Sequence, residues 1–202
     1  MAIKFQYNKT SLQTLGKALK VREKALPTIK SKESALRLEA RKSKEEAGIL
    51  SKKIEECIKS YDSMFLLWSE FREDLVSVTD VKMETRKFAG VSVPMLNEVC
   101  FEVKDWSLFN APHWFYDGVA ILKEMAQLGI EHEVALMKLS LFEQARRKTT
   151  QKVNLFEKVQ IPGYKDAIRK IKRFMEDEES LSKSSQKILK SRQEKQREEA
   201  RE

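Results

Sequence analysis

Glycine, proline and cysteine are all scarce in this chain, whose 202 residues include six, four and two of them. Sheet-rich folds need many turns that contain glycine or proline, so this scarcity and the 35% of charged residues are typical of a protein built from long helices. Cys57 and Cys100 lie far apart, with no cysteine or histidine at metal-site spacing, so we expect neither a disulfide framework nor a zinc site. We interpret Cys57 as a small apolar residue in a helix interface.

Motifs that bind nucleotides or activate water are missing as well. The sequence contains neither a glycine-rich phosphate loop nor an HExxH motif, and His113 and His132 do not share a helix face. The acidic run 176–179 is more typical of a solvated helix face than of a metal site, because adjacent side chains point in different directions around a helix. The sequence therefore predicts no catalytic residue, no cofactor and no metal.

A long apolar run is the third feature that the sequence lacks. The longest uncharged stretch, residues 106–116, is shorter than the roughly 18 apolar residues that a membrane-spanning helix needs, and it contains Pro112. Residues 1–10 do not have the apolar core of a secretory signal. We therefore expect no direct membrane span, so that any association with a membrane must be through a partner.

Positive and negative charges are distributed unevenly along the chain, whose net charge is +8. Residues 1–60 contain 15 Lys or Arg and 7 Asp or Glu, residues 61–111 contain 5 and 9, and residues 112–202 contain 19 and 15. Both terminal parts are thus basic, whereas the middle is acidic. This division predicts different partners at the two ends of the molecule.

What the sequence does contain is a long series of positions spaced three and four residues apart, which we call the seam. A repeat that averages 3.5 residues keeps one stripe of a helix against a partner, and at about 1.5 Å per residue this helix would be roughly 100 Å long. We expect a helix over about 5–78, bent at Pro27. The seam comprises Leu12, Leu15, Leu19, Arg22, Leu26, Ile29, Glu33, Leu36, Ala40, Ser43, Ala47, Leu50, Ile54, Cys57, Tyr61, Met64, Trp68, Phe71, Leu75 and Val78.

A change of period in the middle of the chain predicts two short strands. Apolar and polar residues alternate over 81–86 and again over 99–104, which is the two-residue period of a half-buried strand. Gly90 permits a positive φ and Pro94 restricts pairing to a sheet edge, so we expect a hairpin within about 80–104.

The predicted fold class is all-α dominated: a long antiparallel two-helix coiled coil with a short β-hairpin and a small helical region in the middle. The second helix should fold back so that paired residue numbers sum to about 190, which places Pro27 opposite Pro162 and predicts a bend shared by both helices. For the polar segment 186–202 we expect a frayed helix or a disordered tail. The expected parts of this single structural unit are 1–78, 79–111 and 112–202.

Three stretches of the sequence carry a resemblance to a known family. Residues 8–20 (Asn-Lys-Thr-Ser-Leu-Gln-Thr-Leu through Leu19 and Lys20) look like the family's opening helix, residues 90–94 (Gly-Val-Ser-Val-Pro) resemble its middle hairpin, and residues 150–162 resemble its late-helix signature. The most specific part is Val153-Asn154, Glu157 and Ile161-Pro162 in register. The chain resembles the D subunits of V-type (vacuolar/archaeal-type) ATPases, which form the central rotor shaft.

The resemblance implies a non-catalytic subunit that transmits torque between a ring of ATP-hydrolysing A and B subunits and an ion-translocating membrane ring. The implied partners are the A and B subunits, the F subunit and a socket subunit on the proteolipid ring. The two termini would lie inside the A/B ring and the middle of the chain toward the membrane. The implied location is cytoplasmic and peripheral to the membrane, and the chain would hold no nucleotide.

Two sets of residues are candidates for contacts with such partners. The apolar surface of the hairpin tip is larger than a two-helix coil can cover. We therefore expect exposed residues that bind a partner at Phe88, Gly90, Val91, Val93, Pro94 and Met95. Shaft contacts are expected at Arg146, Arg147, Val153, Asn154, Glu157 and Pro162, although the two arginines suit phosphate, acidic protein loops or water equally. Aromatic residues near the hairpin end either close a local core or enter a partner's groove: Trp68, Phe71, Trp106, Trp114, Phe115 and Tyr116.

Two other functions remain open from the residues alone. A basic coiled coil can bind nucleic acid, but here acidic residues are mixed with the basic ones throughout and no aromatic residues interleave with basic runs. A tether or adaptor coil would need no hairpin with Gly90 and Pro94. The residues and the resemblance together favour the rotor shaft, without a nucleic-acid partner.

Overall fold

The computed structural model describes residues 3–72, 75–105 and 112–199. Long helices dominate it and a two-stranded antiparallel sheet lies between them in the sequence, so the expected fold class is confirmed. The elements in chain order are helix α1 (Lys9–Tyr61), a 3₁₀ turn (Asp62–Met64), helix α2 (Phe65–Trp68), strands β1 (Val76–Phe88) and β2 (Val91–Val103), helix α3 (Phe115–Asn154), a π-helix (Leu155–Gln160) and helix α4 (Ile161–Glu199).

The chain forms two compact units. Helix α1 belongs to both of them, with its N-terminal part in one unit and its C-terminal part in the other. The terminal unit consists of Met1–Lys30 and Thr150–Glu202, and the hairpin unit of Ser31–Thr149. Each unit has an apolar core of its own, centred on Ile171 in the terminal unit and on Leu36 in the hairpin unit.

Helix α1 begins at a side-chain cap and follows the seam to its end. The backbone N–H of Ser11 donates to Asn8 Oδ1 at 2.7 Å, the usual way to satisfy an orphan donor of the first turn. Every seam residue from Leu12 to Tyr61 is buried or half-buried, including the polar ones. Pro27 lies inside the helix without interrupting it. The seam prediction is therefore confirmed along α1.

The expectation that this helix reaches Val78 is wrong, because α1 ends at Tyr61 and Val78 belongs to β1. The apolar residues from Met64 to Val78 keep the seam spacing. So few residues do not suffice to distinguish a continuing helix from a change to a strand. Residues 76–81 include four β-branched side chains, which favour a strand where a partner strand is present. Strand β2 supplies that partner.

The hairpin is confirmed and is longer than its alternating residues indicated. Val81 pairs with Val99 and Phe88 with Val91, so a two-residue turn joins the strands. Both turn residues have positive φ, 47° at Ala89 and 79° at Gly90, as a type I′ turn requires. Two irregularities interrupt the ladder, one between Val78 and Asp80 and one beside Lys82 and Met83.

The helical conformation continues from Phe115 to Glu199, so Pro162 and Gly163 do not interrupt it. The helix changes type one turn before Pro162, in the π-helix. The residues from 186 onward, for which a frayed helix or a disordered tail was open, are helical to Glu199, and all side chains over 176–197 are exposed.

Helix pairing is antiparallel in each unit. In the terminal unit Lys30 pairs with Glu157 and Glu23 with Lys165, whose numbers sum to 187 and 188, near the predicted value. In the hairpin unit Leu36 shares a core with Phe142, while Tyr61, at the other end of α1, lines a cavity with Leu122. Pro27 and Pro162 thus lie at one level of the terminal unit, and the bend itself stays a prediction.

Candidate functional site

Residues 3–72, 75–105 and 112–199 contain no group of three or more His, Cys, Asp or Glu that could hold a metal ion. Nor does any helix in these ranges have the length and apolarity needed to cross a membrane. Cys57 is half-buried and unpaired on the seam of α1, where it was expected as an apolar interface residue.

A polar layer of Arg22, Gln160 and Tyr164 joins α1 to the segment around the start of α4. Arg22 Nε donates to Gln160 Oε1 at 2.7 Å, and an Arg22 terminal nitrogen donates to the Ala18 carbonyl at 3.0 Å. The guanidinium carbon also lies 4.5 Å from the centre of the Tyr164 ring, a cation–π distance. These contacts explain how a charged residue can occupy the seam, because a half-buried charge needs polar partners.

Two ion pairs lie beside this polar layer and link the same helices. Lys30 Nζ lies 2.7 Å from Glu157 Oε1, and Lys165 Nζ lies 3.1 Å from Glu23 Oε1. All four side chains are about half exposed, so each pair is worth at most about 1 kcal/mol. Their contribution is mainly to alignment, since each pair forms in one register of the two helices.

The signature stretch 150–162 is where the helix changes type. The Ile161 N–H donates to the Phe156 carbonyl, five residues back, so this hydrogen bond encloses one residue more than the hydrogen bond of an α-helix. Pro162 lies two residues after the end of the π-helix. Proline has no backbone N–H, so in an ordinary α-helix it would leave the carbonyl of Lys158, four residues earlier, without a donor. The π-helix therefore occupies the turn that the proline would disrupt.

Several signature residues meet α1, and the others face outward. Glu157 and Gln160 lie in the π-helix and contact Lys30 and Arg22 through their side chains. Val153 is half-buried, whereas Asn154 and Pro162 are exposed. The most specific motif of the sequence thus combines an altered helix with contacts that fix its alignment on α1.

The N-terminal segment before α1 packs back onto α4, which sequence reasoning missed. Ile3 and Phe5 pack against the core formed by Leu15, Ala167 and Ile171. Just after them, the Tyr7 ring lies 4.9 Å from the Phe174 ring. The alternation of Ile3, Phe5 and Tyr7 with polar residues is a two-residue period that could have indicated an extended packed segment.

The hairpin tip packs into the core of its own unit, so the expectation that it is exposed is wrong at its central residue. Val93 is only 5% exposed and lies in a cluster with Leu36, Ala40 and Phe142. Val91 is half-buried against the same cluster. The reason is that the hairpin folds back along the helices, a long-range contact that the local pattern does not contain.

The other predicted tip residues lie around this core. The Phe88 ring is 6.0 Å from Phe142 and perpendicular to it, with 39% of Phe88 exposed. Pro94 and Met95 are half-buried. Gly90 lies near Lys32, whose Nζ would be 3.1 Å from a Cβ at this position. Of the predicted tip, Phe88 therefore keeps substantial exposed apolar surface.

An open groove of about 430 Å³ runs between α1, β2 and α3 in the hairpin unit. Its floor includes Leu50, Val134 and Ala135, and its rim carries three glutamates and one lysine. One of these glutamates, Glu98, already has a partner, Lys82, at 2.8 Å. The groove is large enough for a few side chains of another protein.

The outer strand β1 presents most of its side chains to solvent. Within β1, Val78 is 43%, Met83 55% and Phe88 39% exposed. Lys82 on β1 donates to Glu98 on β2, and this hydrogen bond raises the pKa of Lys82 and lowers the pKa of Glu98. Because both side chains are more than half exposed, the pair contributes little to stability.

An aromatic cluster closes the end of the hairpin unit. The rings of Trp68, Phe71, Trp114 and Phe115 form five close pairs, with centres 5.1 to 5.6 Å apart. Tyr116 points outward and is 54% exposed. The interpretation as a local core thus holds for four of the expected rings, and Trp106 lies outside the described residues.

The two arginines predicted as shaft contacts belong to the hairpin unit, unlike the signature residues, which belong to the terminal unit. Arg147 is exposed and lies 3.6 Å from Glu143 on its own helix, while Arg146 is half-buried. Each unit thus contains part of the predicted contact set.

Comparison with known proteins identifies relatives over nearly the whole chain. The family model for the ATP synthase D subunit matches residues 11–191. The V-type ATP synthase D subunit of Borreliella burgdorferi is 30% identical over 93% of this chain and 94% of its own length. The proteins of the same name from Chlamydia muridarum and Chlamydia pneumoniae are 29% and 25% identical, covering 88% of this chain and 90% and 87% of their own lengths.

Proposed function

This chain belongs to the family of ATP synthase D subunits, and from that premise we propose that it is the non-catalytic central-stalk subunit, or rotor shaft, of a V-type rotary ATPase. It transmits torque between a ring of ATP-hydrolysing A and B subunits and an ion-translocating membrane ring. Its location is cytoplasmic and peripheral to the membrane, through its partners.

The observation that carries this proposal is the continuous burial of the seam from Leu12 to Tyr61. Torque can be transmitted only by a structure that does not slip, and the helices of each unit are held by apolar cores. In the terminal unit the polar layer and two ion pairs add contacts that form in one register only.

The mechanism follows from the lack of symmetry of a single chain. A ring of three equivalent catalytic sites around it would offer each site a different contact surface, so the sites would differ in nucleotide affinity. Rotation of the shaft then moves each site through the same series of affinities, because binding and conformation are linked. Under this proposal the chain supplies contacts and no chemistry.

The proposed partners are the A and B subunits, a protein similar to the F subunit, and a socket subunit. We assign two surfaces to the A/B ring: residues 180–197 of α4, which are exposed and include six Lys or Arg and one Glu, and the outward-facing Asn154 and Pro162. For the stalk partners we assign the hairpin unit, with Phe88 and the groove beside β2 as contacts. Val91 and Val93 then act indirectly, by holding the hairpin in place.

The test is to follow the chain while the complex works. The A and B subunits are assembled with a Lys87→Cys variant in which Cys57 and Cys100 are replaced by serine, the ring is immobilised, and a bead is attached at the new cysteine. We expect one-directional rotation when ATP is added. Attachment at Glu102→Cys is the matched control and should rotate equally.

A stationary bead on a ring that hydrolyses ATP would contradict the rotor function. Failure of the chain to co-purify with the A and B subunits would do the same. In that case, steeply salt-dependent binding to a DNA duplex would favour the nucleic-acid-binding function. If the chain did not bind DNA, the tether or adaptor function would remain.

A further inference from the structure

Strand β1 has one long edge that is open to another strand. The sheet has two strands, so within the described residues β1 is paired on one side only. Every residue of β1 except Val76 and Val81 is exposed. The ends of the strand lie near α3, because Phe88 packs on Phe142 and Val78 lines a cavity with Leu122. Between these ends the edge is accessible to another strand.

The charged side chains of β1 decide what can pair with its open edge. The strand has 13 residues and no proline, but its charges and the extra residue Thr79 are features that normally discourage pairing of an edge strand. Beside Thr79, the Asp80 carboxylate accepts a hydrogen bond from the Val81 N–H at 2.8 Å. A further strand can therefore pair here only if its charges are complementary to those of β1.

The charges of β1 alternate in a way that makes the strand complementary to itself. Asp80, Lys82, Glu84 and Arg86 occupy every second position, and the irregularity beside Met83 places its extra residue in β2, so the alternation is unbroken. When the same strand is laid antiparallel on itself with Met83 opposite Met83, Lys82 faces Glu84 and Asp80 faces Arg86. Each of these pairs occurs twice.

Neighbouring registers do not have this property. If Lys82 is placed opposite itself, two lysines meet and Asp80 faces Glu84. If Glu84 is placed opposite itself, two glutamates meet and Lys82 faces Arg86. Registers centred on Val81 or Thr85 each have one kind of complementary pair, Asp80–Lys82 or Glu84–Arg86. Since like charges directly opposite are destabilising and opposite charges stabilising, the charge pattern favours the register centred on Met83, which has two kinds.

We propose that β1 pairs with β1 of a second copy of this chain, antiparallel and around a two-fold axis at Met83, to form a four-stranded sheet. The register applies to residues 80–86, because the extra residue Thr79 interrupts the alternation of the strand before Asp80. The present partners of the charged residues, Glu98 for Lys82 and Arg86 for Glu84, are exposed pairs that can share their charges with the second copy. The pairing is a property of the unassembled chain and does not depend on the rotor function.

The decisive experiment uses two charge-reversal variants that should not pair with themselves but should pair with each other. In Lys82→Glu both positions 82 and 84 are acidic, and in Glu84→Lys both are basic, so each homodimer has like charges opposite. In the mixture every 82–84 pair is again complementary. Dimerisation is measured by sedimentation equilibrium at low salt, with Glu102→Lys on β2 as the matched control.

We expect the original chain and the control to dimerise with similar dissociation constants, and each single variant to dimerise at least about tenfold more weakly. The equimolar mixture should regain the original affinity to within about threefold, and so should the double variant Lys82→Glu/Glu84→Lys. A chain that stays monomeric up to about 1 mM would overturn the proposal. Weakening of both variants without recovery in the mixture would also overturn it.

A disulfide gives an independent measurement of the register. In a chain with Cys57 and Cys100 replaced by serine, Met83→Cys should form a covalent dimer on mild oxidation, because the two cysteines face each other across the axis. Lys87→Cys, on the same strand, should do so much less, since the two copies of position 87 lie at opposite ends of the paired segment. Equal cross-linking of the two variants would show random collision and would contradict the proposed register.

Discussion

Gly118 occupies a position in α3 where a larger residue does not fit. A Cβ at this position would lie 2.8 Å from Phe71 Cε2 and 3.0 Å from Trp114 Cζ3, both below an ordinary contact distance. The glycine thus lets two rings of the aromatic cluster approach the helix backbone. Gly129, on the same helix, has nothing within 4 Å of such a Cβ.

We expect Gly118→Ala to lower the free energy of unfolding by about 1–3 kcal/mol, because the added methyl group forces the rings apart. Gly129→Ala is the matched control and should raise stability by up to about 1 kcal/mol, since alanine favours the helix. Urea unfolding followed by circular dichroism measures both. Equal effects of the two substitutions would mean that the rings do not pack as described.

The Lys82–Glu98 pair predicts a titration shift that stability measurements would not detect. The Glu98 pKa is lowered chiefly by the hydrogen bond from Lys82, so any stabilisation is present above the pKa of the unfolded chain and is lost as the pH falls through the folded value. We expect nuclear magnetic resonance to place the Glu98 pKa below its usual range, and Lys82→Met to return it there. An unchanged Glu98 pKa in that variant would contradict the hydrogen bond.

At the scale of elements, the hairpin and the helices stabilise one another. An isolated two-stranded hairpin is marginal in water, and this one gains a buried side chain, Val93, by packing on Leu36 and Phe142. Strand β1 gains little buried surface from this packing, because most of its residues remain exposed. The two strands of the same hairpin therefore have different roles, one in the core and one at the surface.

We expect Val93→Ser to destabilise the hairpin unit by about 1–3 kcal/mol, because it places a hydroxyl in an apolar cluster and removes buried apolar surface. Val78→Ser on β1 is the matched control and should change stability by less than about 0.5 kcal/mol, since that side chain is exposed. Thermal unfolding of both variants measures this. A neutral Val93→Ser would mean that the hairpin is not anchored by its tip.

The polar layer of the terminal unit has an effect that can be measured in the same way. Arg22→Ala leaves Gln160 without its donor and the Tyr164 ring without its cation, so we expect a loss of about 1–3 kcal/mol. Lys20→Ala, an exposed position on the same helix, should be nearly neutral. Denaturant unfolding compares the two, and similar small effects would show that the seam does not depend on Arg22.

At the scale of the whole molecule, both units carry exposed apolar and charged side chains. The units have separate cores, and the charge changes sign along the sequence. These surfaces agree with a subunit of a multi-chain complex, which membership of the ATP synthase D family implies.

We therefore expect the isolated chain neither to bind nor to hydrolyse ATP, because it has no glycine-rich phosphate loop. Calorimetric titration with Mg-ATP should show no binding tighter than about 1 mM. The matched positive control is the assembled complex with its A and B subunits. Saturable ATP binding to the isolated chain, abolished by substitutions at a defined pocket, would contradict this prediction.

Features that depend on local period and local backbone chemistry could be predicted from the sequence alone. The 3,4 spacing from Leu12 to Tyr61 corresponds to burial at every position, because a helix repeats its faces every 3.6 residues whatever it packs against. Gly90 marked the turn because its positive φ is a local steric requirement.

The choice among several locally acceptable patterns was made by tertiary contacts. Residues after Tyr61 fit a helical spacing, but pairing with β2 makes 76–88 a strand. Val93 became a core residue because the hairpin folds back on Leu36, and the N-terminal Ile3 and Phe5 became buried because α4 passes beside them. One cause applies in each case: burial depends on contacts between residues far apart in the chain, which a local pattern permits but does not specify.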